Sequence, residues 1–397
     1  MITVLGPRLR FWLNSHEEEL VAFRRHLHSH PERSGEEHET TAFIRERLEV
    51  AGLETRVLAS GTGLICDFGH GDGPIVALRG DIDALAMADE KDVHYRSLVP
   101  GVAHACGHDV HTTVVLGAGI YLSHLNDELP GRIRLIFQPA EERVPGGALD
   151  VIDDDGLVDV DTILGVHCDP KLDVGSIGLR SGAITSAADM AMITLSGPGG
   201  HTARPELTVN MVDLAARITI ELPDMVRAEL GGLGPIKVVF GSSHSGDAPN
   251  VIPTHAVLGA SVRTPSIDAW NALPRAFRRA LDTLIGSSGA TYECDYTHGV
   301  PPVVNSEETT ELVRRAATEE LGAARITDAI QSWGGDDFAW FLQQVPGTYV
   351  RLGTHDPDGT HDRHDLHVGH FDVDERAIPV GIRLLVAAAY HRLHELA

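Results

Sequence analysis

Cysteine is scarce in this chain: Cys66, Cys106, Cys168 and Cys294 are the only four, and they are scattered without framework spacing. That excludes a disulfide scaffold and fits a reducing compartment, so a cytoplasmic location is expected. Positive charge is short as well. With 32 basic residues against 57 acidic ones the formal net charge is −25, which argues against nucleic acid or any other polyanion as partner. Long apolar runs are missing: none approaches the roughly 20 residues of a membrane span. The stretch from Met1 to Leu13 holds Pro7 and only a short apolar segment, so no signal peptide is expected. There is no low-complexity tract either, and the composition is that of an ordinary globular protein.

What is present begins with length. A chain of 397 residues exceeds the usual size of one hydrophobic core, and two domains are expected. Its densest chemistry lies in Ala103-His104-Ala105-Cys106-Gly107-His108-Asp109-Val110-His111, where a thiol, three imidazoles and a carboxylate crowd together. An apolar helical run follows, through Val114, Val115, Ala118 and Leu122. Thiolate and imidazole bind zinc-like cations, and a helix start fixes their directions.

Several segments repeat one grammar, an apolar strand that empties into polar residues. Ile75 to Leu78 runs into Arg79-Gly80-Asp81-Ile82-Asp83, Ile133 to Phe137 into Gln138-Pro139-Ala140-Glu141-Glu142, and Thr162 to Val166 into His167-Cys168-Asp169. Polar groups at the carboxyl ends of buried strands are where open α/β sheets place their ligand crevice. Helical spacing is seen from Glu17 to His28 through Leu20, Phe23 and Leu27, and a second helix is expected over Glu36 to Val50. His26, His28 and His30 read as capping or packing residues at the end of the first helix.

From about Ala187 the pattern changes. Met190 to Leu195, Ile236 to Phe240, Ala256 to Arg263 and Tyr292 to Tyr296 read as strands, with helices over Thr208 to Leu230 and Ile267 to Leu284. The order is β-α-β-β-α-β, a ferredoxin-like layer that can fold alone. After Gly299-Val300-Pro301-Pro302 the chain returns to helix, strand, helix. The expected architecture is therefore α/β with two domains. A catalytic domain spans 1–186 and 298–397, and an inserted domain spans 187–297.

Glu141 and Glu142 repel one another unless a cation lies between them or one is protonated. Adjacent carboxylates point apart on a strand or turn, so one can ligate a metal while the other faces a water; the alternative is a solvated acidic turn. With Cys106, His108, His167 and the His-rich segment His361 to His370, the chain offers ligands for two cations about 3.5–4 Å apart. In that segment His361, His364, His367 and His370 recur every third residue, but the flanking Gly359 and Gly369 favour a loop.

At this point the residues resemble the M20 metallopeptidases, and within them the amidohydrolase branch that cleaves N-acyl amino acids, hippurate and auxin conjugates. The resemblance covers nearly the whole chain. Its motifs are Arg25-His26-Leu27-His28-Ser29-His30-Pro31-Glu32, Arg79-Gly80-Asp81-Ile82-Asp83-Ala84-Leu85, His104-Ala105-Cys106-Gly107-His108-Asp109, Gln138-Pro139-Ala140-Glu141-Glu142 and Gly165-Val166-His167. Later come Gly199-Gly200-His201-Thr202-Ala203-Arg204-Pro205, Pro249-Asn250-Val251-Ile252-Pro253, Gly335-Asp336-Asp337-Phe338 and Leu366-His367.

Carried over residue by residue, the resemblance implies that Cys106, His108, Glu142, His167 and His367 hold two divalent cations, zinc, manganese, cobalt or nickel. Glu141 would be the general base, taking a proton from a metal-bridged water and returning it to the leaving amine. His201 would stabilise the oxyanion in the site of a partner subunit, implying a homodimer built through the inserted domain as a lid. Asp81 would orient a ligand instead of binding metal. Asn250 and Arg263 are candidates for the substrate's carboxylate, since a planar guanidinium matches it.

Departures from the family pattern, Ala86, Glu206 and Val368-Gly369, fall outside the implied ligands and bear on the substrate pocket. Three competing readings remain. An aminopeptidase or dipeptidase would use the same site, a cysteine hydrolase would use Cys106 as nucleophile but leave Glu141 and Glu142 idle, and a metal-binding module would need no proton carrier. The expected function is hydrolysis of small acyl-amino acid or peptide-like amides.

Overall fold

The computed structural model describes residues 2–359 and 363–397. The chain divides into two compact units. One comprises Met1–Ile184, Val304–Ile330 and Asp337–Ala397; the other comprises Thr185–Val303 and Gln331–Asp336.

The first unit is built on an eight-stranded mixed sheet. Its centre is four parallel strands: β1 (Ile75–Asp81), β2 (Arg132–Gln138), β3 (Val160–Asp173) and β4 (Gly347–His355), side by side in the order β2-β1-β3-β4. Every residue of β1 is buried, which is why it reads as a continuous apolar run without alternation. Antiparallel strands Leu64–Gly69 and Thr55–Val57 extend the sheet beyond β2; Ile177–Leu179 and Ile326–Asp328 extend it beyond β4.

α1 (Ile2–Ser29) packs on α2 (His108–Ser123) and α3 (Ala377–Leu396), which in turn pack against this sheet. α2 is apolar on nearly all sides, with Val110, Val114, Val115, Ala118 and Leu122 all buried, as a helix enclosed on every side must be. It lies close to the sheet: a Cβ on Gly119 would come within 2.2 Å of Leu135 Cδ1. α1 starts about fifteen residues before the expected Glu17 because Leu5, Leu9, Trp12 and Leu13 continue the buried stripe of Leu20, Phe23 and Leu27. Pro7 lies in the second turn of α1 and forgoes one intrahelical bond.

β1 sits between β2 and β3, so the chain leaves β1 to one side and returns on the other. This is the switch point at which an open α/β sheet leaves a crevice beyond its carboxyl ends.

The second unit is an antiparallel four-stranded sheet in the order Lys237–His244, His255–Arg263, Ala188–Ser196, Thr291–Val300. Helices Met211–Glu229 and Ile267–Ile285 pack on it through Leu214, Ile218, Leu222, Leu273, Phe277 and Leu281, against Ile193, Leu195, Leu258 and Val262. Asn210 caps the first helix by accepting from Val212 and Asp213 N–H; Ser266 caps the second by accepting from Ala269 N–H. The short segment Gln331–Asp336 also belongs here, its Trp333 carbonyl accepting from Ser186 Oγ at 2.8 Å. No helix among the described residues is long and apolar enough to cross a membrane.

Candidate metal centre

Gly107, between Cys106 and His108, caps α2 with φ +87°, a left-handed conformation that costs other L-residues free energy. A Cβ there would also meet Cys168 Sγ at 2.7 Å. The glycine lets the chain turn so that Cys106 and His108 serve one site. His108 Nδ1 donates to the Asp83 carbonyl at 2.9 Å, with the Asp83 carboxylate at 3.1 Å, which leaves Nε2 as the ligating nitrogen.

β2 ends at Gln138, and Ala140, with φ +53°, turns the chain so that Glu141 and Glu142 follow directly. Two buried carboxylates brace this turn: Ala140 N–H donates to Glu37 at 2.8 Å and Glu142 N–H to Asp83 at 3.0 Å. His167 comes from β3, past the last residue paired with β1, where Arg79 faces Gly165. Freed of that neighbour, its Nε2 reaches to 3.6 Å from Cys106 Sγ. His367 lies in a turn with φ +61°. Its backbone N–H donates to Ala105 at 2.8 Å, and its Nε2 is 3.2 Å from Glu142 Oε1.

The sequence-selected ligands Cys106, His108, Glu142, His167 and His367 therefore meet at the carboxyl end of the sheet, with Glu141 beside them. Ligand atoms of Cys106, Glu142 and His367 lie within 4.8 Å of one another, and so do those of His108, Glu141 and Glu142. Glu142 is common to both groups. A divalent cation fits this arrangement on two counts. His108 Nε2 is buried without a hydrogen-bond partner among the described residues, and the carboxylates of Asp81, Glu141 and Glu142 stop at 3.7, 3.8 and 3.9 Å from it, too far for a hydrogen bond. The Cys106–His167 separation of 3.6 Å matches what two ligands at about 2.3 and 2.0 Å subtend at a tetrahedral angle. Thiolate, imidazole and carboxylate together suit zinc and its first-row neighbours.

Asp81 and its surroundings hold the floor of the site. Arg79 donates to Asp81 at 2.6 Å and to Asp337 at 2.9 Å; Asp337 also accepts from Gln138 at 2.7 Å and from Ala148 N–H at 2.9 Å. The other Asp81 oxygen accepts from His111 Nδ1 at 2.6 Å, and His111 Nε2 accepts from Cys168 N–H at 2.8 Å. That chain fixes the His111 tautomer and ties Asp81 to the backbone after His167. Burial would raise the Asp81 carboxyl, but Arg79, His108 and His111 hold it well below the usual carboxylate range. Burial likewise opposes charge on His108, yet Asp81, Asp83 and Glu142 outweigh it and lift the imidazole to about 10. His167 moves the other way, driven down by burial and by Arg351. The site thus carries an excess of negative charge that a proton or a cation must offset.

The second unit carries the remaining selected residues. His201 and Asn250 are brought together on a two-stranded ribbon, Gly200–His201 with Val251–Ile252, where Thr202 N–H donates to the Asn250 carbonyl at 3.2 Å. His201 Nδ1 accepts from Ala203 N–H at 3.0 Å, so in the neutral ring Nε2 carries the proton and can donate it. Arg263 is half-buried at the end of its strand.

Of the other histidines, His361 lies outside the described residues. His370 pairs with Glu90 at 3.1 Å and neighbours His364, apart from the converging groups. His28 does more than cap: it is buried between Asp109 at 2.7 Å and Asp89 at 3.2 Å. Sequence reasoning passed over Glu37, and it gave Asp83 no definite task. Asp83, like Asp81, is signalled as a site candidate by following the carboxyl end of a buried strand, two residues on and on the same side of an extended chain.

Residues 77–391 match the model of a family described as peptidase family M20/M25/M40. A relative from Rhodococcus jostii (strain RHA1), whose name mentions a glutamate–cysteine ligase, is 42% identical over 371 residues, 94% of this chain and 46% of its own length. The chain thus spans about half of that protein. An N-acetyl-L-cysteine deacetylase of Bacillus subtilis (strain 168) is 37% identical over 92% of this chain and 86% of its own. Among solved structures, a Bacillus subtilis protein described as a dinuclear metal binding peptidase from the M20 family is 32% identical. It superposes with a TM-score of 0.81 over 96% of this chain and 99% of its own.

Proposed function

The chain belongs to peptidase family M20/M25/M40 and is a metallohydrolase acting on C–N bonds; on that premise we propose that it cleaves the amide bond of N-acyl amino acids or related small conjugates. The observation that carries this reading is the pair of overlapping ligand groups that share Glu142, with Glu141 in one of them. Cys106, His108, Glu142, His167 and His367 would hold two divalent cations. When bound, such ions would supply a water of lowered pKa and polarise the scissile carbonyl.

The chain's own residues do the rest. Glu141 takes the proton of the attacking water and delivers it to the amine nitrogen as the C–N bond breaks. Asp83 keeps His108 Nδ1–H engaged so that Nε2 stays directed at the site. His201, from the second unit of a partner subunit in a homodimer, donates Nε2–H to the carbonyl oxygen as it gains charge. Asn250 and Arg263 hold the substrate's carboxylate. In this reading the second unit, a ferredoxin-like layer inserted in the catalytic domain, is both lid and dimer contact.

A cysteine hydrolase finds little support, because Cys106 is buried beside His167, Glu142 and His367, among groups that can ligate a cation. The test is a substrate panel: metal-loaded protein against N-acetyl amino acids, N-benzoyl amino acids and free-amine dipeptides, with and without chelator. Chelator-sensitive hydrolysis of the acylated compounds is expected. Activity confined to dipeptides would replace the acyl assignment by a peptidase, and activity indifferent to chelator would remove the metal reading.

A further inference from the structure

The second unit contains a cationic pair that no carboxylate among the described residues neutralises. Lys237 and Arg263 are register partners on adjacent antiparallel strands, where like charges facing one another are destabilising. Both reach Trp333: the Lys237 ammonium sits 4.0 Å from the centre of its ring, and Arg263 Nη1 lies 3.5 Å from its carbonyl oxygen. The other contact of Arg263 is a neutral one, Nε donating to Ser261 Oγ at 3.1 Å. Among the described residues neither cation has a carboxylate within ion-pairing distance, in a chain with 57 acidic residues. Asp189, the acid whose field reaches Arg263, already accepts from Trp270 Nε1, Tyr296 OH and Gly299 N–H at 2.7–2.9 Å. A half-buried guanidinium left without an anion is costly. Gly334 and Gly335 follow Trp333 and add no side chain against it.

We propose that Arg263, Lys237 and Trp333 form an anion subsite that selects substrates with two carboxylates, namely N-acyl derivatives of glutamate and aspartate. This deepens the reading above, on which it rests for Arg263. The planar guanidinium takes the α-carboxylate through paired hydrogen bonds. Lys237, a point charge on a flexible stem, follows the side-chain carboxylate, whose length differs between the two amino acids. The Trp333 ring covers the methylenes between them.

The test compares N-acetyl-L-glutamate with its amide isostere N-acetyl-L-glutamine. Metal-loaded wild type should show the lower KM for the glutamate. Lys237→Met should raise that KM about tenfold, the worth of one hydrogen bond to a charged group, with kcat unchanged and glutamine kinetics unmoved; Lys237→Arg should restore most of the loss. Equal effects on both substrates, or none on either, would overturn the subsite. Calorimetric binding of the same two compounds to the metal-loaded Glu141→Gln variant needs no turnover. Charge-dependent binding that Lys237→Met abolishes would uphold the subsite even if hydrolysis were absent and the amidohydrolase reading fell. Hydrolysis without such discrimination would leave that reading standing and remove the subsite.

Discussion

His108 and Asp83 are joined twice: Nδ1 of the imidazole lies 2.9 Å from the Asp83 backbone carbonyl and 3.1 Å from its carboxylate. The second Asp83 oxygen accepts from Glu142 N–H at 3.0 Å and from Ser34 Oγ at 2.6 Å. One carboxylate therefore orients two of the proposed ligands. Asp83→Ala should weaken metal binding about 10–100-fold, the usual cost of removing a partner behind a ligand. Titration of apo-protein with zinc or manganese, read by calorimetry, checks this.

Gly107→Ala should damage the site through the backbone. At φ +87° an alanine costs roughly 1–2 kcal/mol, and the contact of 2.7 Å between its Cβ and Cys168 Sγ adds overpacking of about 1–3 kcal/mol. Denaturant unfolding should show the loss of stability. Gly107→Ala combined with Cys168→Ala should recover the part due to Sγ and keep the parts due to φ and to the Cys168 Cβ, 2.9 Å from the added carbon.

His201→Ala should lower kcat by about 10²–10³-fold, as the loss of one oxyanion donor does, while metal content stays unchanged. If the donor comes from a partner subunit, mixing inactive His201→Ala with inactive Glu141→Gln should restore activity through hybrid dimers. Failure of such mixtures to gain activity after subunit exchange would place His201 within its own subunit's site.

Acid should unfold the protein partly through the cluster behind α2. Asp109 is buried against Arg24 at 2.7 Å and His28 at 2.7 Å; burial opposes its charge, but these partners hold its carboxyl well below the ordinary range. Asp89 is depressed in the same sense, with His28, Ser97 N–H and Lys91 outweighing burial. For a depressed carboxyl the stabilisation is present above the unfolded value of about 3.9 and is lost as pH falls through the folded one. The thermal midpoint should therefore be insensitive to these two groups between pH 5 and 7 and drop below about pH 4. Asp89→Asn should be less stable at neutrality and lose less on acidification.

Much of the candidate site is legible in the sequence because the proposed ligands follow strand ends and a helix start, each marked by a change from apolar to polar residues. Cys106, His108, Glu142 and His167 stand out as candidates this way. His367 is harder, since its left-handed backbone, φ +61°, leaves no mark in composition, and the repeat of histidines around it is misleading. Partnerships are not legible at all. That Asp81 serves His111 while Asp83 serves His108 follows from which strand neighbours which helix turn, and Asp337 reaches Arg79 across more than 250 positions. The early start of α1 was visible as spacing in Leu5, Leu9 and Leu13, yet Pro7 obscured it. The placement of Gln331–Asp336 in the second unit depends on tertiary pairing with Ser186, which no local pattern announces.

The central claim is that the five ligands hold cations while Glu141 carries the proton. Metal content and turnover of Glu141→Gln, measured on one preparation with an N-acetyl amino acid as substrate, test it together. The account predicts two divalent ions per chain, as in wild type, with hydrolysis reduced at least about 10²-fold, the lower end of what a positioned acid–base group supplies. Hydrolysis at the wild-type rate with the metal in place would contradict it.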